Sequence, residues 1–221
     1  MPHLLITGAG RGIGLALAQA AHDAGWRVTG TTRGPAPAID GISWQHLEVT
    51  DPAAQAALAA RLAHDPVDAV ICNAGVLLDR GQDLATGYAP ALWAESFAVN
   101  VTGCFLTVQA LLPQLRAARR GRVMILSSQM ASHQRAPGGS YAYRASKAAA
   151  LNLGRNLATD LRADGIAVGI YHPGWVQTEM GGAGAEISAE TAASGLLDRL
   201  EALTLNTTGC FETWDGHPHP Y

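Results

Sequence analysis

Along the chain, short apolar runs rich in β-branched residues alternate with longer stretches in which Ala and Leu recur at three- and four-residue spacing. Continuous apolar runs suit strands covered on both faces, and the wider spacing suits helices that cover them. The runs His3 to Ile6, Trp26 to Thr31, Ser43 to Val49, Val67 to Cys72, Val123 to Ser127 and Ile166 to Tyr171 predict six strands. Ile13, Leu17, Ala20, Ala21 and Ala24 share one helical face, which predicts a first helix from Ile13 to Ala24 with Gly25 as its stop. Asp51 before Pro52 is an N-cap and a first helical position, so a second helix starts there and ends by Asp65-Pro66. Further helices are predicted over Pro90 to Glu95, Val101 to Arg119, Tyr141 to Ala163 and Ala189 to Leu203. Regular alternation of this kind implies an α/β fold with a doubly wound parallel sheet and helices on both faces. No repeat or linker interrupts it, so one domain is expected over residues 1–221. The Gly-rich stretch Met180 to Ala185 is the candidate mobile loop.

Composition narrows the function classes. With 221 residues, 48% hydrophobic and 15% charged, the chain suits one buried core. A formal net charge of -3 gives no long-range attraction to nucleic acid or to an anionic membrane, so neither is expected as a partner. Strand-like sequence begins by residue 3, leaving no room for a leader, and no uninterrupted apolar run approaches about 18 residues. A cytoplasmic location is expected. Cys72, Cys104 and Cys210 are odd in number and far apart, which provides no disulfide framework and no CxxC motif; they are expected as small core residues. Eight histidines occur without HExxH, and His217 and His219 lie in a Pro-rich tail, so no metal is expected. Arg116, Arg119, Arg120 and Arg122 cluster where a helix should end, where cations complement the carbonyl end of its dipole.

The segment TGAGRGIG, residues 7–14, falls on the turn from the first strand into the first helix. In a doubly wound sheet that turn aims helix amides at a phosphate. GxGxxG fails because Ile13 stands at its last glycine, and the P-loop fails for want of Gly-Lys-Ser/Thr. The spacing is GxxxGxG, through Gly8, Gly12 and Gly14. Further along come CNAG at 72–75, Asn100 in FAVNVTG, ILSS at 125–128, YRASK at 143–147 and PGWVQT at 173–178. Five motifs in this order resemble the short-chain dehydrogenase/reductase family, and SYAYRASKAAALN, PGWVQTEMGG and the tail FETWDGHPHPY resemble its C-factor and sniffer-type carbonyl reductase branch. The resemblance implies a single-domain Rossmann fold.

A carbonyl that accepts hydride develops negative charge on oxygen, so its site needs a proton donor and a hydrogen bond aimed at that oxygen. Tyr143 and Lys147, four residues apart, share a helix face, and the ammonium there is expected to lower the phenol's pKa toward working pH. Tyr141, six residues from Lys147, lies on another side and is expected at a packing position or the pocket rim. The family resemblance implies that Tyr143 protonates the alkoxide and that Lys147 also holds the nicotinamide ribose. Ser127 and Ser128 end a strand with opposite orientations, so one alone faces the site. By resemblance it is Ser128, with a loop to Tyr143 about two residues longer than the commoner family pattern. Asn100 corresponds to the family's helix asparagine, which holds a water linked to the lysine.

For the cofactor, an acid ending the second strand would bind the 2'-hydroxyl of NAD. The chain reads Gly30-Thr31-Thr32-Arg33-Gly34, with no acid until Asp40, whereas Arg33 and Arg11 can approach a 2'-phosphate. NADP(H) is therefore expected. By resemblance, Ile13 belongs to the phosphate turn, Glu48 and Val49 lie beside adenine, Asn73, Ala74 and Gly75 line the ribose, and Pro173, Gly174, Val176 and Thr178 meet the nicotinamide end. The substrate expected is a small or medium apolar aldehyde or ketone, or the alcohol in reverse, with Trp175, Met180 and Met130 near the pocket. The alternative is an NADP(H)-binding signalling or sensor protein with little turnover. Apolar spacing along Val101 to Leu115 and Ala148 to Leu161 suits either core alone or a subunit face, and the resemblance implies a homo-oligomer, a dimer in the first instance.

Overall fold

The computed structural model describes residues 1–63 and 65–221. Seven strands, β1 (His3–Ile6), β2 (Arg27–Thr32), β3 (Ile42–His46), β4 (Ala69–Cys72), β5 (Arg122–Leu126), β6 (Ala167–His172) and β7 (Phe211–Thr213), form one sheet in the order β3-β2-β1-β4-β5-β6-β7. Every pairing is parallel. The order reverses beside β1, so a crevice opens between the exits of β1 and β4, the place where such sheets bind ligands. All strand carboxyl ends carrying the predicted motifs face that edge.

Alternation along the strands divides the core. Leu5, Val70, Val123 and Val168 face one side, while Leu4, Ile6, Ile71 and Met124 face the other. The first side is covered by α2 (Pro52–Arg61), α4 (Gly103–Ala110), α5 (Leu112–Ala117) and α6 (Tyr141–Asp160); α3 (Pro90–Phe97) leads into α4. The second is covered by α1 (Gly12–Asp23) and α7 (Ala189–Ala202), through Leu17, Ala18, Leu196 and Leu200. Helix α6 lies close against the sheet at Gly154, where a Cβ would stand 2.5 Å from Ile170 Cγ1 and 3.1 Å from Ile125 Cδ1. A side chain there would push the helix off the strands that end at the site.

Several boundaries differ from expectation for local reasons. Asp51 caps α2 through Ala53 N at 2.8 Å, as predicted, but the helix ends at Arg61; position 64 of the predicted span lies outside the described residues. β3 stops at His46 because Glu48 turns the chain, its carboxylate accepting from Thr50 N at 3.2 Å. The predicted break between Glu95 and Val101 is absent: a wide π turn, Ala98–Thr102, carries α3 into α4. The interruption comes later, at Leu111, just before Pro113. The run Pro90–Ala110 is 21 residues long and apolar enough to span a bilayer by composition. Here its buried residues Val99, Cys104 and Val108 lie in the core against the sheet. β7 was not predicted; its three residues pair with β6.

Candidate active site

The glycine turn is built for close approach. Gly8 and Gly12 have φ of +64° and +55°, a region that favours glycine, and a Cβ on Gly8 would stand 2.9 Å from Ala74 Cα. Asn73 Nδ2 donates to the carbonyls of Thr7 at 2.9 Å and Gly8 at 3.0 Å. Thr7 Oγ1 accepts in return from the amides of Asn73 and Ala74, each at 3.1 Å. The Asn73 side chain thus holds the turn in shape, a use that the expected place beside a ribose did not foresee. Helix α1 follows with no side-chain cap and no acid in its first turn, so its positive end is left for a ligand. Thr178 closes over the turn, 3.3 Å from where a Cβ on Gly12 would lie. Ile13 is half-buried beside it, and Val176 is buried.

The two arginines expected at a 2'-phosphate both have acid partners. Arg33 Nη1 lies 3.2 Å from Glu48 Oε2, and Arg11 pairs with Glu179. Burial acts to raise the Glu48 carboxyl, but hydrogen bonds from Thr50 and the Arg33 guanidinium together hold it below its usual value. An acid therefore does reach the end of β2, arriving from the exit of β3. Both guanidinium groups are exposed, and ion pairs of this kind contribute little, so either can turn to a stronger anion. Val49 is buried in the core, where it packs on Gly103, with its Cγ2 2.7 Å from where a Cβ would lie.

At the exits of β4 and β5 the catalytic candidates meet. The Ser128 side chain lies beside the Tyr143 phenol, where it acts to lower the phenol's pKa, and its hydroxyl accepts from Met130 N at 3.1 Å. Ser127 turns the other way and donates to the Lys147 carbonyl at 2.9 Å. Lys147 Nζ donates to the Leu126 carbonyl at 2.8 Å and stands 5.7 Å from the centre of the Tyr143 ring. Asn100, in the π turn, donates from Nδ2 to Val76 O at 3.0 Å and Ser146 Oγ at 2.9 Å, and its Oδ1 accepts from Val76 N at 2.8 Å. A Cβ on Gly75 would lie 3.2 Å from Asn100 Oδ1 and 3.5 Å from Lys147 Nζ, so Gly75 leaves these groups room. Ser146, which the sequence reading passed over, also donates to the Tyr143 carbonyl at 2.8 Å.

The expected lowering of the phenol's pKa by Lys147 is not found in the chain alone. Burial pushes Tyr143 up to about 12, against the Ser128 hydrogen bond and the Arg80 guanidinium, which lower it, while Asp79 raises it. Burial likewise lowers Lys147 to about 8. The shared helix face is real, but the Leu126 carbonyl takes the ammonium, which stands over the Tyr143 ring.

Beyond Gln129 a cavity of about 590 Å3 is lined by Trp175, Trp214 and Ile187 together with Arg135, His172 and Glu186. Trp175 lines this cavity, and Met130 and Met180 are not among its lining residues. Burial first, then His219 and Arg135, lower His172 to about 4. Gly174 and the preceding Pro173 lead from β6 onto its wall. The Gly-rich stretch is tethered: Trp175 Nε1 donates to Gly181 O at 2.9 Å and Arg80 Nη2 to Met180 O at 2.5 Å. Tyr141 is exposed, edge-on to Tyr88. At the opposite edge of the sheet, Arg122 and Arg120 donate to the Leu200 and Leu203 carbonyls at 3.1 and 3.4 Å. They complement the end of α7, whereas the helix expected was their own. Cys72 and Cys104 are buried and Cys210 half-buried.

The family model described as short chain dehydrogenase matches residues 2–187. The C-signal of Myxococcus xanthus is 38% identical over 167 residues, 75% of this chain and 99% of that protein. The 1-hydroxy-2-glutathionyl-2-methyl-3-butene dehydrogenase of Rhodococcus sp. (strain AD45) is 35% identical over 227 residues, 98% of each chain. Among solved structures, the NADPH-bound carbonyl reductase from chicken fatty liver superposes with a TM-score of 0.92 at 29% identity, covering 100% of this chain and 99% of that one.

Proposed function

The chain belongs to the short-chain dehydrogenase family, and from that premise we propose that it is an NADPH-dependent carbonyl reductase, with one domain serving both cofactor and substrate. The residues fit the cofactor. Gly8 and Gly12 bring backbone amides to the first turn of α1 without Cβ atoms in the way, and Arg33 and Arg11, each paired with an acid in the chain alone, would turn to the 2'-phosphate. Lys147, buried and 3.5 Å from where a Cβ on Gly75 would lie, would hold the nicotinamide ribose, and Pro173, Gly174, Val176 and Thr178 would hold the carboxamide end. When bound, the nicotinamide supplies hydride to the carbonyl carbon, or takes it back from the alcohol.

The observation that carries this reading is the Ser128 side chain beside the Tyr143 phenol at the exit of β5, close enough to lower its pKa. Two hydroxyls converging at one strand exit can both reach a single substrate oxygen. Ser128 orients the carbonyl and donates to its developing charge, and Tyr143 delivers the proton. A phenol at about 12 stays protonated at neutral pH, the form a donor needs. Asn100 keeps the π turn and the Val76 backbone in place behind Lys147. The substrate is a small or medium aldehyde or ketone whose apolar part lies against Trp175, Trp214 and Ile187. The likeness to the chicken carbonyl reductase supports both the reaction and NADPH. Phe105, 39% exposed on α4, supports a homodimer with α4 at the subunit face.

The C-signal relative favours a second reading, a nucleotide-binding signal protein with little turnover. A panel of aldehydes and ketones with NADPH separates the two. Oxidation of NADPH matched mole for mole by alcohol supports the reductase; tight NADPH binding with no turnover across the panel supports the signal.

A further inference from the structure

Helix α6, which carries Tyr143, begins without help from its own neighbour. Ser140 occupies the N-cap position, where a serine hydroxyl ordinarily takes an amide of the first turn. Its backbone is left-handed instead, with φ +46° and ψ +47°, and its side chain makes no cap bond. The cap comes from the segment that follows β4. Asp79 has no solvent exposure, and its Oδ2 accepts from the amides of Ala142 at 2.8 Å and Tyr143 at 3.2 Å. Its Oδ1 is buried without a hydrogen-bond partner. A buried carboxylate is favoured at the positive end of a helix, and one of its two bonds is to the backbone of the proton donor itself.

The neighbouring residue extends the connection. Arg80 Nη2 donates to Met180 O at 2.5 Å, in the segment that follows β6. One dipeptide therefore fastens both the first turn of α6 and the chain that covers the cofactor crevice. The groups facing the phenol are Ser128 from the exit of β5, Asp79 and Arg80 from the β4 segment, and Lys147 one turn along α6.

We propose that Asp79 is a positioning residue for Tyr143: its carboxylate fixes the first turn of α6, and so the place of the phenol, and sets a negative charge beside it. The capping stands on the hydrogen bonds alone; its effect on turnover rests on Tyr143 being the proton donor. Because the charge of Asp79 acts to hold the proton on the phenol, its removal should let Tyr143 ionise at lower pH.

Two variants test this, Asp79→Ala and Asp79→Asn, by hydrogen exchange across residues 140–146 and by the pH dependence of carbonyl reduction. In Asp79→Ala the amides of Ala142 and Tyr143 should exchange about tenfold faster or more, with the C-terminal half of α6 unchanged. Its kcat should fall about tenfold or more while KM for NADPH stays within about threefold. Asp79→Asn keeps an accepting oxygen, so exchange should stay near wild type, but the alkaline loss of kcat should move to lower pH. Wild-type exchange in Asp79→Ala, an unmoved alkaline limb in Asp79→Asn, or loss of turnover matched by loss of NADPH binding would each overturn the proposal. Should Asp79→Ala fail to fold, the alkaline limb of Asp79→Asn decides. If the wild type turns over no carbonyl, the functional reading fails while the exchange rates still decide the cap.

Discussion

Replacing each serine of the pair by alanine separates two hydroxyls that are neighbours in sequence and opposite in direction. Ser128→Ala removes the hydroxyl beside the Tyr143 phenol and the acceptor for Met130 N. Loss of a donor aimed at a developing oxyanion costs about 10² to 10³ in kcat, or roughly 3 to 4 kcal/mol of transition-state stabilisation. The lost cap on the short turn over Gln129–Ala131 costs a further ~1 kcal/mol of stability, which does not touch the chemistry. Ser127→Ala instead removes a buried hydrogen bond to the Lys147 carbonyl. That costs about 1 kcal/mol of stability, and kcat should stay within about threefold of wild type because α6 keeps its other anchors. The assay is NADPH oxidation at saturating carbonyl, with urea denaturation of both variants alongside. A larger kcat loss in Ser127→Ala than in Ser128→Ala would refute the placement of Ser128 in the site.

Three further outcomes are expected. His172 is lowered to about 4, so between about pH 6.5 and 4 the unfolded chain binds a proton that the folded one does not. Stability should therefore fall by about 2 kcal/mol from pH 7 to pH 5 on its account, and His172→Gln should show a smaller fall in urea titrations; an equal fall would contradict it. Gly154→Ala should lower the melting temperature, because overpacking against Ile170 costs about 1 to 3 kcal/mol and exceeds the roughly 1 kcal/mol gained in helix propensity; an unchanged or higher Tm would show that α6 moves away freely. Arg33→Ala should reduce the preference for NADPH over NADH by about tenfold or more, since it removes a guanidinium and leaves Glu48 facing the phosphate; equal preference in wild type and variant would exclude Arg33 from the site.

Much of the fold was legible because strands buried on both faces, such as β1, β4, β5 and β6, must be largely apolar, while the edge strand β3 was marked by its flanking β-rich run. Six of them stand where the runs lie, within a few residues. β7 was not, since Phe211, Glu212 and Thr213 make no pattern by themselves and become a strand through β6. The wide turn at Ala98–Thr102 has no signature in propensity either; it follows from the buried anchoring of Asn100 to Val76 and Ser146. In the site, strand alternation correctly separated Ser127 from Ser128, and helical spacing placed Tyr143 and Lys147 on one face. Spacing does not say where a long side chain ends, and the Leu126 carbonyl decides that for Lys147. Partners distant in sequence were invisible: Glu48 for Arg33, Glu179 for Arg11, and Asp79 for the first turn of α6.

The central claim is that Tyr143 is the proton donor of a reductase, and Tyr143→Phe tests it by removing one hydroxyl. Its NADPH affinity, measured by fluorescence titration, should remain within about threefold of wild type, because the phenol oxygen meets Ser128 and not the glycine turn. Its turnover of an accepted carbonyl should fall by about 10² or more, since the hydroxyl that delivers the proton is gone. Binding kept and turnover lost is the predicted result; a Tyr143→Phe protein that reduces the same carbonyl at the wild-type rate would contradict the account.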